Sequence, residues 1–371
     1  MEYLFSFIFL SLAIFLTITL INSITGPFLR SAPFLQQEVP VSVLIPARNE
    51  EKNIQRCIEA LQQQDYSQLE ILVLNDQSND HTADLVKQIT QNDERIRLIE
   101  GAPLPSGWIG KNWACHQLSQ LAVGEIIIFT DADNYHTSDA VRLTVGWMQH
   151  HNLSMFSAFP QQLTMTFFEK LIVPVIDLIL YASLVLWLTY YTRFPSLAAA
   201  NGQWLAFRRE DYQKIGGHQA VKHQIVEDVE FSRMAKRKGL KILTTAGTSV
   251  IFARMYSSLK EIWHGFSKNL FGLVSKNTLA FSTILLGFLF VHILPFLMIY
   301  ISQFHFLSLM AVLLILLLRF ILAFRYKHPI IISILLHPVS ILLIILIGLN
   351  SLYQAKFGQI DWKGRKITLH G

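Results

Sequence analysis

Cysteine and charged residues are both scarce in this sequence. Of its 371 residues two are cysteine and 15% are charged. Cys57 and Cys115 fall on predicted helices without metal-ligand spacing, which excludes a disulfide framework and a zinc site, so we expect reduced core thiols. The net charge of +5 comes without the aromatic-interleaved basic motifs of nucleic-acid-binding modules. We therefore expect no nucleic-acid partner and attribute the charge to a basic face against anionic lipid.

Long runs without charge make up much of the 52% hydrophobic content. Residues 3–21 contain no charged side chain and are long enough to cross about 30 Å of hydrocarbon. Further apolar runs cover about 278–302, 305–324 and 329–352. Together they predict a multi-pass protein of the cell membrane, with an anchor over 1–25, a C-terminal transmembrane region over 278–352 and a basic tail over 353–371.

The first run lacks a basic segment before it and a small-residue cleavage site after it, so we predict a retained anchor. Arg30 follows the run and no Lys or Arg precedes it, which favours a cytoplasmic location for the next domain. Three full spans at the other end would then leave Lys363, Arg365 and Lys366 outside. Because His337–Pro338 breaks the last run, we predict that this run re-enters or lies in the interface and returns the tail to the domain.

Strand and helix patterns alternate within residues 38–270. Four buried strands are read from "VSVLIPA", "LEILVLN", "RIRLIE" and "EIIIFT", and helical spacing follows the first two. This order predicts an α/β domain whose mixed, mainly parallel sheet is flanked by helices. Ligands in such sheets bind beyond the carboxyl ends of the strands, where Asn49, Glu50, Asp76 and Asp131 are expected.

The apolar segment 171–188 is long enough to be mistaken for a span. A single crossing would place Asp131 and the later pair Glu227–Asp228 on opposite sides of the membrane, and Pro174 and Asp177 interrupt it. We therefore predict an interfacial helix over 165–192.

Asp131 and Asp133 directly follow the buried strand that ends at Thr130. Two carboxylates one residue apart suit a hard divalent cation, Mg²⁺ or Mn²⁺, that also binds phosphate. An isolated Asp-x-Asp is common by chance, and a strand-end turn would explain it. The polar cluster at the neighbouring strand ends and the second acidic pair, Glu227–Asp228, favour the metal site here.

Four motifs together resemble glycosyltransferase family 2, whose members have the GT-A fold. They are "VSVLIPARNEE", "VLNDQSNDHT", "DAD" (131–133) and "VED" (226–228), in the order and spacing of that family, and they cover about 40–240. The resemblance implies an inverting transfer of a sugar from a nucleotide sugar, usually a UDP-sugar. It further implies that Asp133, with Asp131, holds the metal that bridges the donor phosphates, and that Asp228, with Glu227 beside it, acts as the general base.

By the same matching, the nucleoside side of the donor contacts the first two motifs. Asp76 is expected at the uracil and Glu50 at the ribose or base, and Pro46, Ala47 and Arg48 are expected to shape that pocket. Without the family, Asp76 would be interpreted as a turn residue.

A narrower resemblance links the chain to membrane enzymes that glycosylate carotenoid acids, the diaponeurosporenoate glycosyltransferase group. It rests on "GWIGKNWAC" (107–115), "IGGH" (215–218), "FARMY" (252–256) and "DWKGRKI" (361–367). It implies that Lys111 meets the donor phosphates at a helix start and that the tail lies beside the active site. The Gln-x-x-Arg-Trp run of processive family members is missing; Arg254 is the candidate for its phosphate contact, and single transfer is expected.

The leading hypothesis is a metal-dependent transferase that moves a hexose, with glucose the expected sugar, from a UDP-sugar to a lipid-soluble acceptor such as a carotenoid acid. One alternative is transfer to another lipid, of the ceramide-like, diacylglycerol or polyprenyl-phosphate kind. The other is a catalytically silent membrane scaffold, against which the intact Asp131, Asp133 and Asp228 count.

Overall fold

The chain folds into two compact units. The computed structural model describes residues 2–274 and 277–357, together with the backbone of 360–362 and 365–367. The α/β unit consists of Pro27–Gln161 and Leu186–Met255, and the helical unit consists of Met1–Gly26, Gln162–Val185 and Tyr256–Gly371. The predicted 38–270 domain is therefore interrupted, because residues 162–185 and 256–270 belong to the helical unit.

The strands of the chain are short, as expected of an α/β fold. They are β1 Val41–Ala47, β2 Leu69–Asn75, β3 Ile96–Glu100, β4 Ile126–Thr130, β5 Asn134–His136, β6 Met155–Phe159, β7 Gln161–Gln162, β8 Trp204–Arg208, β9 Ile242–Ala246, β10 Ile251–Ala253, β11 Ile360–Trp362 and β12 Arg365–Ile367.

Seventeen α-helices occur in the described ranges. They are α1 Glu2–Thr25, α2 Ile54–Gln62, α3 Thr82–Thr90, α4 Gly110–Leu121, α5 Ala140–His150, α6 Phe167–Ile172, α7 Pro174–Ser183, α8 Leu188–Tyr191, α9 Arg209–Ile215, α10 Gly217–Ala220, α11 Glu227–Arg237, α12 Leu259–Asn269, α13 Thr278–His292, α14 Leu294–Met298, α15 His305–Tyr326, α16 Ile330–Leu335 and α17 His337–Phe357.

Seven strands form the main sheet of the α/β unit, in the order β3-β2-β1-β4-β8-β6-β9. The first four strands pair in parallel, with Val41 opposite both Leu69 and Ile126, whereas β8 runs antiparallel to β4 and β6. The predicted mixed, mainly parallel sheet is confirmed. Its parallel strands are nearly all apolar because helices cover both faces, and their carboxyl ends lie along one edge.

A small second sheet lies next to that edge. In it β5 pairs antiparallel with β10, and Asn134 stands opposite Ala253. Since β5 begins one residue after Asp133, this pairing brings Arg254, the residue after β10, to the acidic turn.

The predicted interfacial helix over 165–192 is three separate helices in the structure. Pro174 begins α7, and the chain leaves helical geometry again between Ser183 and Leu188. Asp177, the charged residue of α7, is buried, and its Oδ2 lies within hydrogen-bond distance, 2.7 Å, of His328 Nε2. Pro174 therefore divides this segment at one point and the non-helical residues 184–187 divide it at another, whereas Asp177 lies inside α7.

Four helical segments are long and apolar enough to cross a membrane, which indicates membrane association. In the part of the chain that the structure describes they are Glu2–Thr25, Thr278–Met298, Ser302–Tyr326 and His337–Phe357. The last of these starts eight residues later than the run predicted over 329–352, because the helix is interrupted between Leu335 and His337.

Contacts within the helical unit define the directions of these helices. Phe5 stacks on Phe304 at 5.8 Å and Arg325 Nε donates to the carbonyl of Ser23 at 2.9 Å, so α1 and α15 run in parallel. The second pair runs antiparallel: the rings of His292 and His337 are 5.2 Å apart, and a Cβ on Gly348 would lie 2.8 Å from Leu285, so α17 returns along α13.

Between α15 and α17 the chain turns back into the bundle. The carbonyl of Ser333, in α16, accepts a hydrogen bond from Arg319 Nε at 3.0 Å, two turns before the end of α15 at Tyr326. The tail motif predicted beside the active site lies outside the residues whose side chains are described, apart from a backbone hairpin of β11 and β12.

One buried tyrosine fastens the start of β1. The hydroxyl of Tyr66 donates to the carbonyl of Val39 at 2.7 Å and accepts from its N–H at 2.8 Å. We expect Tyr66→Phe to lower the free energy of unfolding by about 1–3 kcal/mol, because both backbone groups are left buried without a partner. Melting of the purified protein in detergent tests this, with Tyr191→Phe, an exposed tyrosine, as the control; equal melting temperatures would contradict it.

Candidate active site

The loops after β1 and β2 are bound to each other by hydrogen bonds. Arg48 Nη1 donates to the carbonyls of Asp76 and Gln77 at 2.6 and 3.1 Å. Asn49 and Gln77 both adopt left-handed backbone conformations, with φ near +54° and +55°, which lets each loop turn sharply beyond its strand. Arg48 therefore holds the loop after β2 through two of its carbonyls.

Glu50 and Asp76 are brought together by the same pair of loops. The N–H of Glu50 donates to Thr82 Oγ1 at 2.8 Å, and that of Asp76 donates to the carbonyl of Ala47 at 2.8 Å. Pro46 and Ala47 pair in register with Leu74 and Asn75 at the strand ends, and Asp76 is buried. The five residues predicted for the nucleoside side thus lie at one sheet edge.

The acidic turn follows β4 at the same edge. Asp131 and Asp133 flank the buried Ala132, and Cys57 Sγ lies 3.8 Å from the carbonyl oxygen of Asp131. Burial raises the pKa of the Cys57 thiol, and the negative charges of Asp133, Asp131 and Glu50 raise it further. Three carboxylates therefore create a negative potential at one buried position, and hard oxygen donors of this kind fit a divalent cation.

Lys111 connects the acidic turn to the second acidic pair. Its Nζ lies 2.8 Å from Asp131 Oδ1 and 3.3 Å from Glu227 Oε1. Burial disfavours the charged ammonium, but the carboxylates of Asp131 and Glu227 outweigh it and hold the pKa of Lys111 well above its usual value. The ammonium therefore stays charged and joins two chain segments almost one hundred residues apart.

Asn112 explains why Lys111 reaches Glu227. The amide of Asn112 is fully buried and donates to the carbonyls of Val221 and Gln224, both at 2.9 Å. The carbonyl of Lys222 accepts a further bond of 2.8 Å from the N–H of Ile109. The start of α4 is thereby attached to the loop that precedes α11.

Asp228 is held by two backbone N–H donors. Gly202 donates to its Oδ2 at 2.7 Å and Val229 donates to its Oδ1 at 2.8 Å. Burial and the neighbouring charge of Glu227 raise the pKa of Asp228 to about 7, while Lys111 and the two N–H groups act in the opposite direction. A carboxylate of this kind exchanges a proton near neutral pH.

A buried polar network supports both acidic segments from below. Asn134 Nδ2 and Thr130 Oγ1 both donate to the carbonyl of Gln203, at 2.5 and 3.0 Å. His136 Nε2 lies 3.2 Å from the same Thr130 hydroxyl. Because Gln203 follows Gly202, this network ties the acidic turn to the donor that orients Asp228.

Lys236 fastens the other end of α11. Its side chain is buried, and its Nζ donates to the carbonyl of Thr192 at 2.6 Å and to that of Leu188 at 3.4 Å. Burial lowers the pKa of Lys236 to about 8. The helix that begins with Glu227 and Asp228 is thereby joined to α8, whose neighbourhood exposes Tyr191 and Phe194.

Every predicted site residue lies in the α/β unit, around one edge of the main sheet. The residues that the motifs did not single out are Asn112, Thr130, Asn134, Gly202 and Gln203. Their contribution is to hydrogen bonds that join distant segments, for which a single sequence carries no signal. Among the residues that the structure describes, no group of three or more His, Cys, Asp or Glu side chains is arranged as a preformed metal-ligand set.

The amino-acid sequence and this structure were compared with known proteins. Residues 42–178 match the family model described as Glycosyl transferase family 2. The chain is 28% identical over 242 residues to a 4,4'-diaponeurosporenoate glycosyltransferase of Staphylococcus haemolyticus, which covers 62% of this chain and 60% of the relative. The chain thus spans less than two thirds of that relative. A Staphylococcus aureus protein of the same name is 24% identical over 343 residues, which cover 89% of this chain and 88% of the length of that protein.

The fold also resembles that of a solved enzyme. The mannosyltransferase PcManGT from Pyrobaculum calidifontis, solved with GDP-Man and Mn²⁺, superposes with a TM-score of 0.59 at 17% identity and covers 95% of this chain and 99% of its own. At this identity the likeness concerns the fold alone, and it agrees with the predicted GT-A architecture.

The raised pKa of Asp228 makes the stability of the fold depend on pH. The side-chain pKa is 3.8 for an exposed aspartate and about 7 in the folded protein. The stabilisation by the protonated form is therefore complete below pH 3.8 and is lost as the pH rises through 7. We expect the melting temperature of the parent to fall between pH 5 and pH 8 by more than that of Asp228→Asn. Glu230→Gln, on the same helix, should keep the parent's pH dependence; the same loss in Asp228→Asn would refute the assignment.

Proposed function

Because the chain is a family 2 glycosyltransferase, we propose that it transfers a hexose, with glucose the expected sugar, from a UDP-sugar to a lipid-soluble acceptor, with inversion at the anomeric carbon. The observation that carries this proposal is Asp228, a carboxylate held by two N–H groups beside the Lys111 ion pairs. The names of the staphylococcal relatives favour a carotenoid acid as the acceptor.

On the donor side, the joined loops after β1 and β2 would receive the nucleoside. Asp76 would hydrogen-bond to the uracil and Glu50 to the ribose or base, in a pocket whose wall Arg48 supports by holding the carbonyls of residues 76 and 77. Lys111, positioned between Asp131 and Glu227, would meet the diphosphate, as would Arg254 beside the acidic turn.

The acidic turn has the donor chemistry for Mg²⁺ or Mn²⁺. Asp133 and Asp131 would hold the ion, whose chemistry there is to stabilise the negative charge of the diphosphate leaving group. The negative potential at Cys57 beneath these carboxylates supports the assignment. The Mn²⁺ bound by the mannosyltransferase of similar fold is consistent with it.

On the acceptor side, the role of Asp228 depends on which group attacks. A hydroxyl acceptor would transfer its proton to Asp228 as its oxygen forms the bond to the anomeric carbon and the bond to UDP breaks. The carboxyl group of a carotenoid acid has already lost its proton near neutral pH. For such an acceptor Asp228 has no proton to accept; in its protonated form it would donate a hydrogen bond that positions the attacking carboxylate, and removal of its charge would cost little.

The acceptor's solubility in lipid fits the four helices that are apolar enough to cross a membrane. We place the α/β unit in the cytoplasm, where nucleotide sugars are made, in agreement with Arg30 after the first helix. Ceramide-like, diacylglycerol and polyprenyl-phosphate acceptors remain the alternatives. Comparison of lipid and pigment extracts from cells with and without the protein by mass spectrometry identifies the acceptor.

The metal site is tested by substitution of Asp133. We expect Asp133→Ala to reduce turnover by at least about 10²-fold, since the diphosphate loses its counter-charge, and to weaken UDP binding in Mn²⁺ as measured by calorimetry. Asp133→Glu should keep a small activity that depends on the divalent ion supplied. Asp84→Ala, an exposed carboxylate of the same unit, is the control. Full activity of the parent in EDTA would contradict the metal assignment.

The general base is tested with two kinds of acceptor. With a hydroxyl acceptor we expect Asp228→Asn to reduce turnover by about 10²–10⁴-fold, and the rate of the parent should rise with pH through about 7 as Asp228 ionises. With a carboxylate acceptor the loss should be slight. The affinity of Asp228→Asn for UDP, measured by calorimetry, should equal that of the parent, whereas the affinity of Asp133→Ala for UDP should be lower. If hydroxyl transfer stays within a few-fold of the parent, the base lies elsewhere and Glu227 is the next residue to test.

A further inference from the structure

A group of ionisable side chains is buried inside the helical unit, away from the sugar-transfer chemistry. Arg319 lies in α15, His292 at the end of α13 and His337 at the start of α17, and each is at most 1% exposed. These are three of the segments that are apolar enough to cross a membrane. Ionisable groups in such segments are costly to bury, and they are retained where they contact a ligand or one another.

The guanidinium of Arg319 is only partly used by the protein. Its Nε donates to the carbonyl of Ser333 at 3.0 Å, a group near the end of α16 that has lost its helical partner. Its Nη1 lies 3.4 Å from the carbonyl of Pro174, a weak contact. Nη2 is buried and makes no hydrogen bond within the described part of the chain.

The two histidines add further unused polar atoms. Their rings are 5.2 Å apart, and Arg319 lies within electrostatic range of both. Three ring nitrogens have no hydrogen-bond partner among the described residues: Nδ1 and Nε2 of His337, and Nδ1 of His292. Phe15 stacks on His292 at 5.8 Å, Phe296 is tilted against His337 at 6.2 Å, and the two imidazoles meet edge to face. The unpartnered ring nitrogens are the polar atoms that remain for a ligand.

The charges around this cluster favour a negative ligand. Asp177 is the carboxylate that acts on Arg319, but its Oδ2 is bonded to His328 at 2.7 Å. His337 also begins the 21-residue helix α17, whose dipole places positive charge at that end. A metal cation is disfavoured because it would lie beside the Arg319 guanidinium.

We propose that Arg319, His292 and His337 form a binding site for the oxyanion headgroup, carboxylate or phosphate, of an apolar molecule. The guanidinium Nη2 and one N–H of each imidazole donate to the oxyanion, and the surrounding apolar helices accommodate the hydrocarbon. The proposal does not depend on the sugar-transfer reaction, since the site lies wholly within the helical unit and its test measures binding.

Photolabelling of the full chain in phosphatidylcholine nanodiscs tests the site. The probes are a long-chain fatty acid with a diazirine on its alkyl chain and the matched fatty alcohol. We expect the acid to label α13, α15 or α17 saturably and about ten-fold more strongly than the alcohol, because only the acid carries the charge. Arg319→Gln should abolish this preference, whereas Arg325→Gln, a partly buried arginine on the same helix, should keep it.

Competition identifies the source of the headgroup. Displacement of the acid probe by phosphatidic acid assigns the site to a phospholipid phosphate, and displacement by unlabelled fatty acid alone assigns it to a carboxylate. Equal labelling by acid and alcohol in the parent would overturn the proposal, as would an unchanged preference in Arg319→Gln. If Arg319→Gln does not fold, the double variant His292→Phe and His337→Phe, which keeps the ring packing, is judged by the same criteria.

Discussion

The ion pairs of Lys111 are the interaction on which the organisation of the candidate active site depends. The main sheet directs several carboxylates to one edge, where they would repel one another without a fixed positive charge. Lys111 supplies that charge, since its Nζ contacts Asp131 and Glu227 at 2.8 and 3.3 Å. It joins the acidic turn after β4 to the start of α11 and so sets the separation between these two acidic segments.

Hydrogen bonds from long side chains to backbone carbonyls hold the other segments of the candidate site together. The loops after β1 and β2 are held through carbonyls bound by Arg48, and the loop before α11 through carbonyls bound by Asn112. Lys236 binds the carbonyls that end α8. In each case a long side chain reaches the backbone of another segment, which fixes loop positions while leaving the loop side chains available for a ligand.

Local patterns were enough to predict the sheet and the edge at which the candidate carboxylates lie. Runs such as Val41–Ala47 followed by polar turns have one physical interpretation, because parallel buried strands end at a common edge. The buried network of Thr130, Asn134 and Gln203 was not predictable, since its bonds join residues about seventy positions apart. The single helix predicted over 165–192 is divided into α6, α7 and α8, because Pro174 begins a new helix and residues 184–187 leave helical geometry.

Gly202 places an unusual constraint on how this enzyme can diverge. Its N–H is the donor to Asp228, and every residue except proline carries the same N–H, so the hydrogen bond is insensitive to point mutation. A side chain there is another matter, because its Cβ would lie 3.2 Å from Lys111 Nζ and 3.3 Å from Glu227 Oε1. Position 202 is thus permissive in hydrogen bonding and restrictive in volume, because a larger residue there would require the side chains of Lys111 and Glu227 to shift by a few tenths of an ångström.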